Sequence, residues 1–363
     1  MIYREIGKTG LKVSALSLGC MRLPENDLEM SEMVVDKAIE LGINYFETTR
    51  GYIGGKCQHL TALGLKKRSR GLIVSGKAAV GDDTTADSFR KEIDLQMDIF
   101  GVDYLEFFQI GWLSLDRMEL VTKKNGALEA LRKAQDEKII GHIGFTGHDS
   151  PENFTKMIET GIFDSLTIPY NLANRSYTST IKRAGELGVG VIAMCPVAGG
   201  MLAAPTDKLK IFTDDQAATS SAAALRYVLS NPDISTACSG MSNITQLLEN
   251  VDTVNNTDVL NAEEYARAEK VLDDFKVLGD RFCTKCGYCV PCPEEIYIPG
   301  VFEIYNMLEL YGNVEYAENM YNGWTKFNEK VPKCIECGQC ESKCPNKIEI
   351  IKQLKMVQSK LAR

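Results

Sequence analysis

Histidine and tryptophan are scarce in this 363-residue chain, at three and two residues, so groups that titrate near neutrality are few. Basic excess is absent as well. The formal net charge is −8, which argues against a nucleic-acid partner, because phosphate binding needs a basic patch. Long apolar runs are missing too. The longest, GVGVIAMCPVAGGML, is too short to span a bilayer and is broken by Pro196, so no membrane segment is expected. The opening MIYREIGKTG is charged and lacks the apolar core of a signal peptide, which places the protein in the cytoplasm with its thiols reduced. Low-complexity segments are absent. With 44% hydrophobic and 25% charged residues, the composition is that of a globular chain with a sizeable core.

Cysteine is the exception, at 12 residues. Eight of them fall in the tail, as CTKCGYCVPCP (Cys283, Cys286, Cys289, Cys292) and CIECGQCESKCP (Cys334, Cys337, Cys340, Cys344). Three thiolates at CxxCxxC spacing wrap one face of a cubane cluster, and the Cys before each Pro is directed toward a second cluster. Two [4Fe-4S] clusters are therefore expected. One takes Cys283, Cys286, Cys289 and Cys344, and the other takes Cys334, Cys337, Cys340 and Cys292. The first motif is one residue shorter than the usual CxxCxxCxxxCP, which bears on Cys292. Structural zinc uses separated pairs totalling four ligands, and eight thiolates in two tight triplets overshoot that.

From Ser14 onward, short apolar runs alternate with amphipathic stretches. The runs SALSLGCM, NYFET, GLIVSGK, YLEFFQIG, HIGFT, SLTIPYN, GVIAMC and STACSGM read as eight strands. Helices are predicted between them over Ser31–Leu41, Thr84–Phe100, Leu128–Lys138, Pro151–Thr160 and Ala217–Leu229, with Gly42, Gly161 and Gly188 where helices should end. The fold class that follows is α/β, a (β/α)8 TIM barrel over residues 1–279, with chemistry at the C-terminal ends of its strands. A small helical ferredoxin-like domain over 280–363 completes the chain. A further helix over Asn261–Leu278 leads toward it, and VFEIYNMLELYG and VEYAENMYNGW should be helices whose aromatics pack around the clusters.

The segments YREIGKTGLKVSALSLGCMRLP, GINYFETTRGY, KIIGHIGFTGHD and ALRYVLSNPDISTACSGMSN resemble the aldo/keto reductases, in order and over residues 1 to about 280. The tail resembles the two-cluster ferredoxin module fused to one bacterial and archaeal branch of that family. The resemblance implies carbonyl reduction by hydride from NADPH, with a Tyr acid, a Lys and an Asp that tune it, and a His that orients the carbonyl. Tyr52 and Lys77 match that pattern. An adjacent ammonium is expected to lower the phenol's pKa and steady a developing phenolate. Glu47 replaces the Asp, and Gly111 stands where the His would be. Glycine at a strand end often marks a close approach by a ligand or another chain segment. His148, just past the fifth strand, is a candidate replacement acid, whereas His59 and His142 read as structural.

The implied nicotinamide pocket is altered. Thr146 and Gly147 stand for the family's Ser-Asn, Thr167 for a Gln and Met194 for a stacking Tyr. The two threonines are expected to hydrogen-bond a carboxamide. After the eighth strand Gly240, Met241 and Gln246 replace the basic residues that hold a 2′-phosphate, while Glu249 and Asn250 keep the adenine-side pattern. NAD(P)H is thus expected as cofactor with NADPH disfavoured, NADH or no nicotinamide being the other options. Cys20, Cys57, Cys195 and Cys238 lack ligand spacing and read as buried, inert thiols, with pocket lining the other option for Cys20 and Cys195 at their strand ends.

These readings converge on an iron-sulfur oxidoreductase of anaerobic metabolism, with a small-molecule substrate and an electron-transfer protein as partner. Two others remain open: a lyase or isomerase that uses Tyr52 and Lys77 beside structural clusters, and a non-catalytic electron carrier.

Overall fold

The computed structural model describes residues 1–65, 71–147, 149–172, 174–200, 202–203, 219–274, 283, 289–312, 314–323, 329–344 and 347–362. Eight parallel strands close into a barrel: β3 (Leu16–Gly19), β4 (Tyr45–Glu47), β5 (Ile73–Ala79), β6 (Leu105–Gly111), β7 (Ile140–Thr146), β8 (Ser165–Pro169), β9 (Gly190–Met194) and β10 (Thr236–Ser239). All eight predicted strands are present, and β10 pairs back onto β3 through Ala237 opposite Leu16. The sequence reading missed a hairpin ahead of them, β1 (Tyr3–Glu5) with β2 (Lys12–Ser14). Strands of three residues are too short to show an alternating pattern. The hairpin turn closes the N-terminal end of the barrel, where the Lys8 N–H donates to the Gly188 carbonyl at 2.9 Å.

Ten helices among the described residues accompany the barrel: α1 (Leu28–Glu40), α2 (Cys57–Leu65), α3 (Ala86–Phe100), α4 (Met118–Thr122), α5 (Ala127–Asp136), α6 (Pro151–Glu159), α7 (Thr178–Leu187), α8 (Ser220–Ser230), α9 (Ile244–Asn256) and α10 (Ala262–Asp274). Their starts follow local chemistry. Asp27, Ser150, Thr219 and Asn243 each accept a backbone N–H as N-caps, and Pro151 occupies the first turn of α6. Helix α1 begins a turn earlier than predicted because Asp27, not a residue nearer Ser31, supplies the cap.

Helix α10 is joined to the barrel by tyrosines. The Tyr227 and Tyr265 rings stack at 5.4 Å, and the Tyr170 hydroxyl meets that of Tyr265 at 2.9 Å. Tyr227 also donates to Glu269, whose carboxylate accepts from Arg175 at 2.6 Å. The boundary expected at 279/280 lies outside the described residues.

In the tail, α11 (Ile298–Tyr311), α12 (Val314–Gly323) and α14 (Ile350–Leu361) pack on one another, with a short α13 (Gln339–Ser342) between the last two. Phe302, Tyr305 and Tyr321 are buried in this small core as expected. Among the described residues no helix is long and apolar enough to cross a membrane.

One departure from the family pattern has a packing cause. A Cβ on Gly147 would lie 2.0 Å from the Leu113 carbonyl oxygen, because the chain leaving β6 crosses the end of β7 and the Leu113 N–H donates to the Thr146 carbonyl at 2.9 Å. No side chain fits there without moving backbone. Gly147→Ala should therefore destabilise the barrel by about 1–3 kcal/mol, the usual range for overpacking, which urea unfolding would measure.

Candidate active site and cluster module

Lys77 lies within the buried stretch of β5 with its side chain 1% exposed, and an unpaired ammonium cannot remain charged there. Glu47, the last residue of β4, meets it: Oε1 lies 2.7 Å from Lys77 Nζ. Tyr52, in the loop that follows, places its hydroxyl 3.0 Å from the same nitrogen. The expected trio is thus assembled. Burial alone would lower the Lys77 pKa, but the Glu47 charge, the Tyr52 phenol and the hydrogen bonds to both together raise it above the ordinary value and hold the amine protonated. For Tyr52 the sequence expectation needs correction. Burial pushes its phenol above the ordinary value, and the pull of Lys77 offsets that only in part. Tyr52 is consequently a protonated donor at neutral pH, with a cation beside it ready for the phenolate.

The backbone of Lys77 is held by a residue the sequence reading missed. Strand β4 stops at Glu47, opposite Ser75, so the Lys77 N–H and C=O on that edge have no strand partner. The buried Gln96 amide, from α3, satisfies both, accepting from Lys77 N at 3.2 Å and donating to Lys77 O at 3.0 Å. Thr49 adds a second donor to that carbonyl at 3.0 Å. Gly76 was the available signal, since a Cβ there would lie 2.8 Å from Gln96 Oε1. Gln96 in turn donates to Glu92, which receives both guanidinium bonds of Arg50 at 2.9 Å, two residues before Tyr52.

Gly111 ends β6 beside Lys77. A Cβ there would have ordinary 3.6 Å contacts with Ala78, so no close-approaching chain segment accounts for this glycine. The next residue, Trp112, takes a left-handed φ of 53° and sets its ring edge-on to Tyr52 at 6.1 Å. His148 lies outside the described residues. His142 packs on Phe107 and faces Asp164, in keeping with a structural role, and His59 is exposed on α2.

Glu47 and Tyr52 form the inner end of one cleft of about 1050 Å³ at the C-terminal ends of the strands. The same cleft runs past Met194 and Gly240 to Glu249 and Asn250, four of the six residues predicted to hold a nucleotide. The two threonines depart from expectation. Thr167 is fully buried, with its hydroxyl 3.2 Å from Glu47 and 2.9 Å from Gln109, and it does not line the cleft. Thr146 is largely buried beside the Met194 sulfur. Glu249 is also engaged, accepting from Thr219 and Ser221 at the start of α8.

One cleft residue, Arg22, escaped the sequence reading, and another, Cys195, takes the pocket-lining option rather than the buried one. Arg22, in the short 3₁₀ turn after β3 (Cys20–Arg22), abuts Gly240, where a Cβ would sit 2.5 Å from the arginine Cγ, and so brings a guanidinium to the cleft from the far end of the barrel sequence. Cys195 is exposed in the cleft with a φ of 56° rather than buried, whereas Cys20 and Cys57 are buried as expected. Length, a mixed polar and apolar lining and a cation along its course fit this cleft to an extended anionic ligand such as a dinucleotide.

In the tail the described cysteines differ in burial. Cys283, Cys289 and Cys344 belong to the small apolar core, while Cys292, Cys334 and Cys340 are half-buried and Cys337 is exposed. Cys286 lies outside the described residues. Cys292, Cys334, Cys337 and Cys340 line one pocket, together with Cys289 and the apolar Ile296, Ile351 and Leu354. Both motifs thus supply thiols to a single apolar-walled space, a donor set that suits iron-sulfur chemistry. Among the described residues no three ligand-type side chains converge as they would on a single metal ion.

The barrel matches the description Aldo/keto reductase family over residues 15–273, and the tail matches 4Fe-4S dicluster domain over 282–349. The chain is 27% identical to the L-galactose dehydrogenase of Arabidopsis thaliana over 281 residues, covering 69% of this chain and 87% of that protein. It is 22% identical to the NADH-specific methylglyoxal reductase of Escherichia coli over 224 residues, 54% of this chain and 68% of the other. Among solved structures, the holo form of an aldo-keto reductase from Bacillus halodurans superposes with a TM-score of 0.66 at 24% identity, covering 75% of this chain and 96% of that one. The match to the family description spans well over half the chain, and so this protein belongs to the aldo/keto reductase family, with a 4Fe-4S dicluster domain following its barrel.

Proposed function

We propose that the protein reduces the carbonyl, or a double bond conjugated to a carbonyl, of a small organic molecule. The observation that carries this reading is the Tyr52 hydroxyl held 3.0 Å from the Lys77 ammonium at the inner end of the cleft. Tyr52 gives its proton to the substrate oxygen, and the ammonium stabilises the phenolate left behind. Glu47 keeps that ammonium charged and in place. Bound to this protein, a nicotinamide would supply hydride and the clusters would supply single-electron transfer. Met194 would hold the nicotinamide end, Arg22 the phosphates, and Gly240, Glu249 and Asn250 the adenosine end. His148 is a second candidate for proton transfer. Gly111 leaves open the space a histidine side chain would take, which favours a substrate bulkier than a simple ketone.

NADH is the preferred nucleotide in this reading, since the residues after β10 offer no Lys or Arg for a 2′-phosphate. The NADH-specific relative is in keeping with that. Two clusters occupy the domain over 280–363, one on Cys283, Cys286, Cys289 and Cys344 and the other on Cys334, Cys337, Cys340 and Cys292. A cytoplasmic one-electron carrier of anaerobic metabolism is the corresponding protein partner.

Tyr52→Phe should lower NADH-dependent turnover by about 10²–10⁴-fold, the range for a lost general acid, with nucleotide binding retained. Unchanged turnover on every carbonyl and enone tested would sink the donor role. Because burial raises the Tyr52 phenol, the rate should hold through neutrality and fall only above the ordinary tyrosine value of about 10. Lys77→Met removes the one charge that pulls the phenol down, so its residual activity should show that alkaline limb displaced further upward. For the clusters, anaerobic preparations should carry about eight irons per chain. Cys292→Ala and Cys344→Ala should each lose about half of them and extinguish different signals in the electron paramagnetic resonance spectrum. Loss of the same signal in both would overturn the crossed ligand sets. Anaerobic titration with NADH should quench protein fluorescence at lower concentration than NADPH does, and no response to either would remove nicotinamide from the scheme.

A further inference from the structure

Glu47 has two oxygens, and the Lys77 pair uses only one. The other, Oε2, points across the barrel interior, where it meets Thr167 Oγ1 at 3.2 Å and Gln109 Nε2 at 3.4 Å. Both partners are fully buried. Gln109 is itself fixed, donating to Ser75 Oγ at 2.7 Å while its Oε1 stands 2.9 Å from the Thr167 hydroxyl. The single Thr167 proton thus faces two acceptors. Given to Glu47 it makes a charge-assisted bond, and given to Gln109 it locks the amide with its N–H toward Glu47. A donor faces Oε2 in either arrangement.

The geometry also gives a reason for the glutamate. Its side chain starts on β4 and must touch β5 with one oxygen while reaching β6 and β8 with the other. An aspartate, one methylene shorter, cannot keep Lys77 and still span to Thr167. The short threonine hydroxyl on β8 marks where that reach ends.

We infer that Thr167 and Gln109 are positioning residues: they grip the far oxygen of Glu47, so that its near oxygen holds the Lys77 ammonium against the Tyr52 hydroxyl. This rests on the reading of Tyr52 as proton donor. It also takes Thr167 out of the nucleotide site and makes Glu47 and Thr167 a matched pair. Other ionisable groups near the trio are Tyr45 on β4, Cys20 after β3, Cys238 on β10 and Cys195 after β9, the last facing Tyr52. Burial pushes the Cys20, Cys238 and Tyr45 groups up, so these three contribute no charge near neutrality.

The test is a titration that needs no substrate. Cluster-loaded protein is labelled with difluorotyrosine, which brings phenol ionisation into an accessible range, and the Tyr52 resonance in its fluorine NMR spectrum is assigned by its absence in Tyr52→Phe. Thr167→Val and Gln109→Leu should each move the Tyr52 titration to higher pH by about one unit, a tenfold change in proton affinity, because a loosened Glu47 lets the ammonium drift from the phenol. Glu47→Asp should do the same. Thr167→Ser, which keeps the hydroxyl, should titrate as the wild type does. Thr167→Ala serves if the valine protein does not fold. A wild-type titration in the valine or alanine protein, or a serine protein shifted as far as the valine one, would overturn the inference. Normal turnover by Tyr52→Phe would instead remove the donor role and leave the titration result standing.

Discussion

The barrel's catalytic face is organised by one buried ion pair. Bringing Lys77 and Glu47 out of water costs several kcal/mol per charge, and their attraction offsets this only if the remaining lone pairs and protons also find partners. The surrounding sequence bears the mark of that requirement. Tyr52 takes one ammonium proton, Gln109 and Thr167 face the free carboxylate oxygen, and Gln96 closes the backbone edge that β4 leaves open. Gly76 is bare so that Gln96 can enter. Each of these residues is intelligible once the pair is in place, and none stabilises much without it.

Much of this was legible before the structure. Apolar runs of four to eight residues between capped amphipathic stretches mark the eight strands, because a parallel sheet covered on both faces leaves no polar alternation to obscure them. Tyr52, Lys77 and Glu47 could be paired from their motifs. Contacts between distant segments could not. Thr167 lies 120 residues from the carboxylate it faces, and Arg22 comes to the cleft beside Gly240 from the opposite end of the barrel sequence. A threonine at a strand end reads equally well as a ligand-binding hydroxyl or as a support for another side chain, and only its burial separates the two. Gly147 is similar, since the asparagine expected there is excluded by a carbonyl from another loop. The sign of the Tyr52 shift was misjudged because a motif shows the neighbouring ammonium but not the depth of burial.

The tail follows a different logic. Its apolar core is small, and the cysteines are part of its wall as well as its ligand set. Three thiols lie inside that core while Cys337 reaches the surface, so the two halves of the cysteine set meet very different surroundings. Exposure and hydrogen bonding around the sulfurs shift cluster potentials. On the proposed ligand sets, a buried cluster and a surface-reaching one would differ in potential, and such a difference would give electrons a preferred direction.

The tyrosine stack on α10 bears on how such a protein is put together from parts. Tyr265 and Glu269 sit on the last described helix before the cysteine motifs, yet their rings and charges complete a polar cluster rooted in β8 and α8. That helix is barrel, not linker. Removing that helix would take from Tyr170 the Tyr265 hydroxyl and from Tyr227 and Arg175 the Glu269 carboxylate. A barrel shortened before α10 would therefore give up polar contacts as well as apolar ones, so the helix belongs to the reductase unit by its hydrogen bonding.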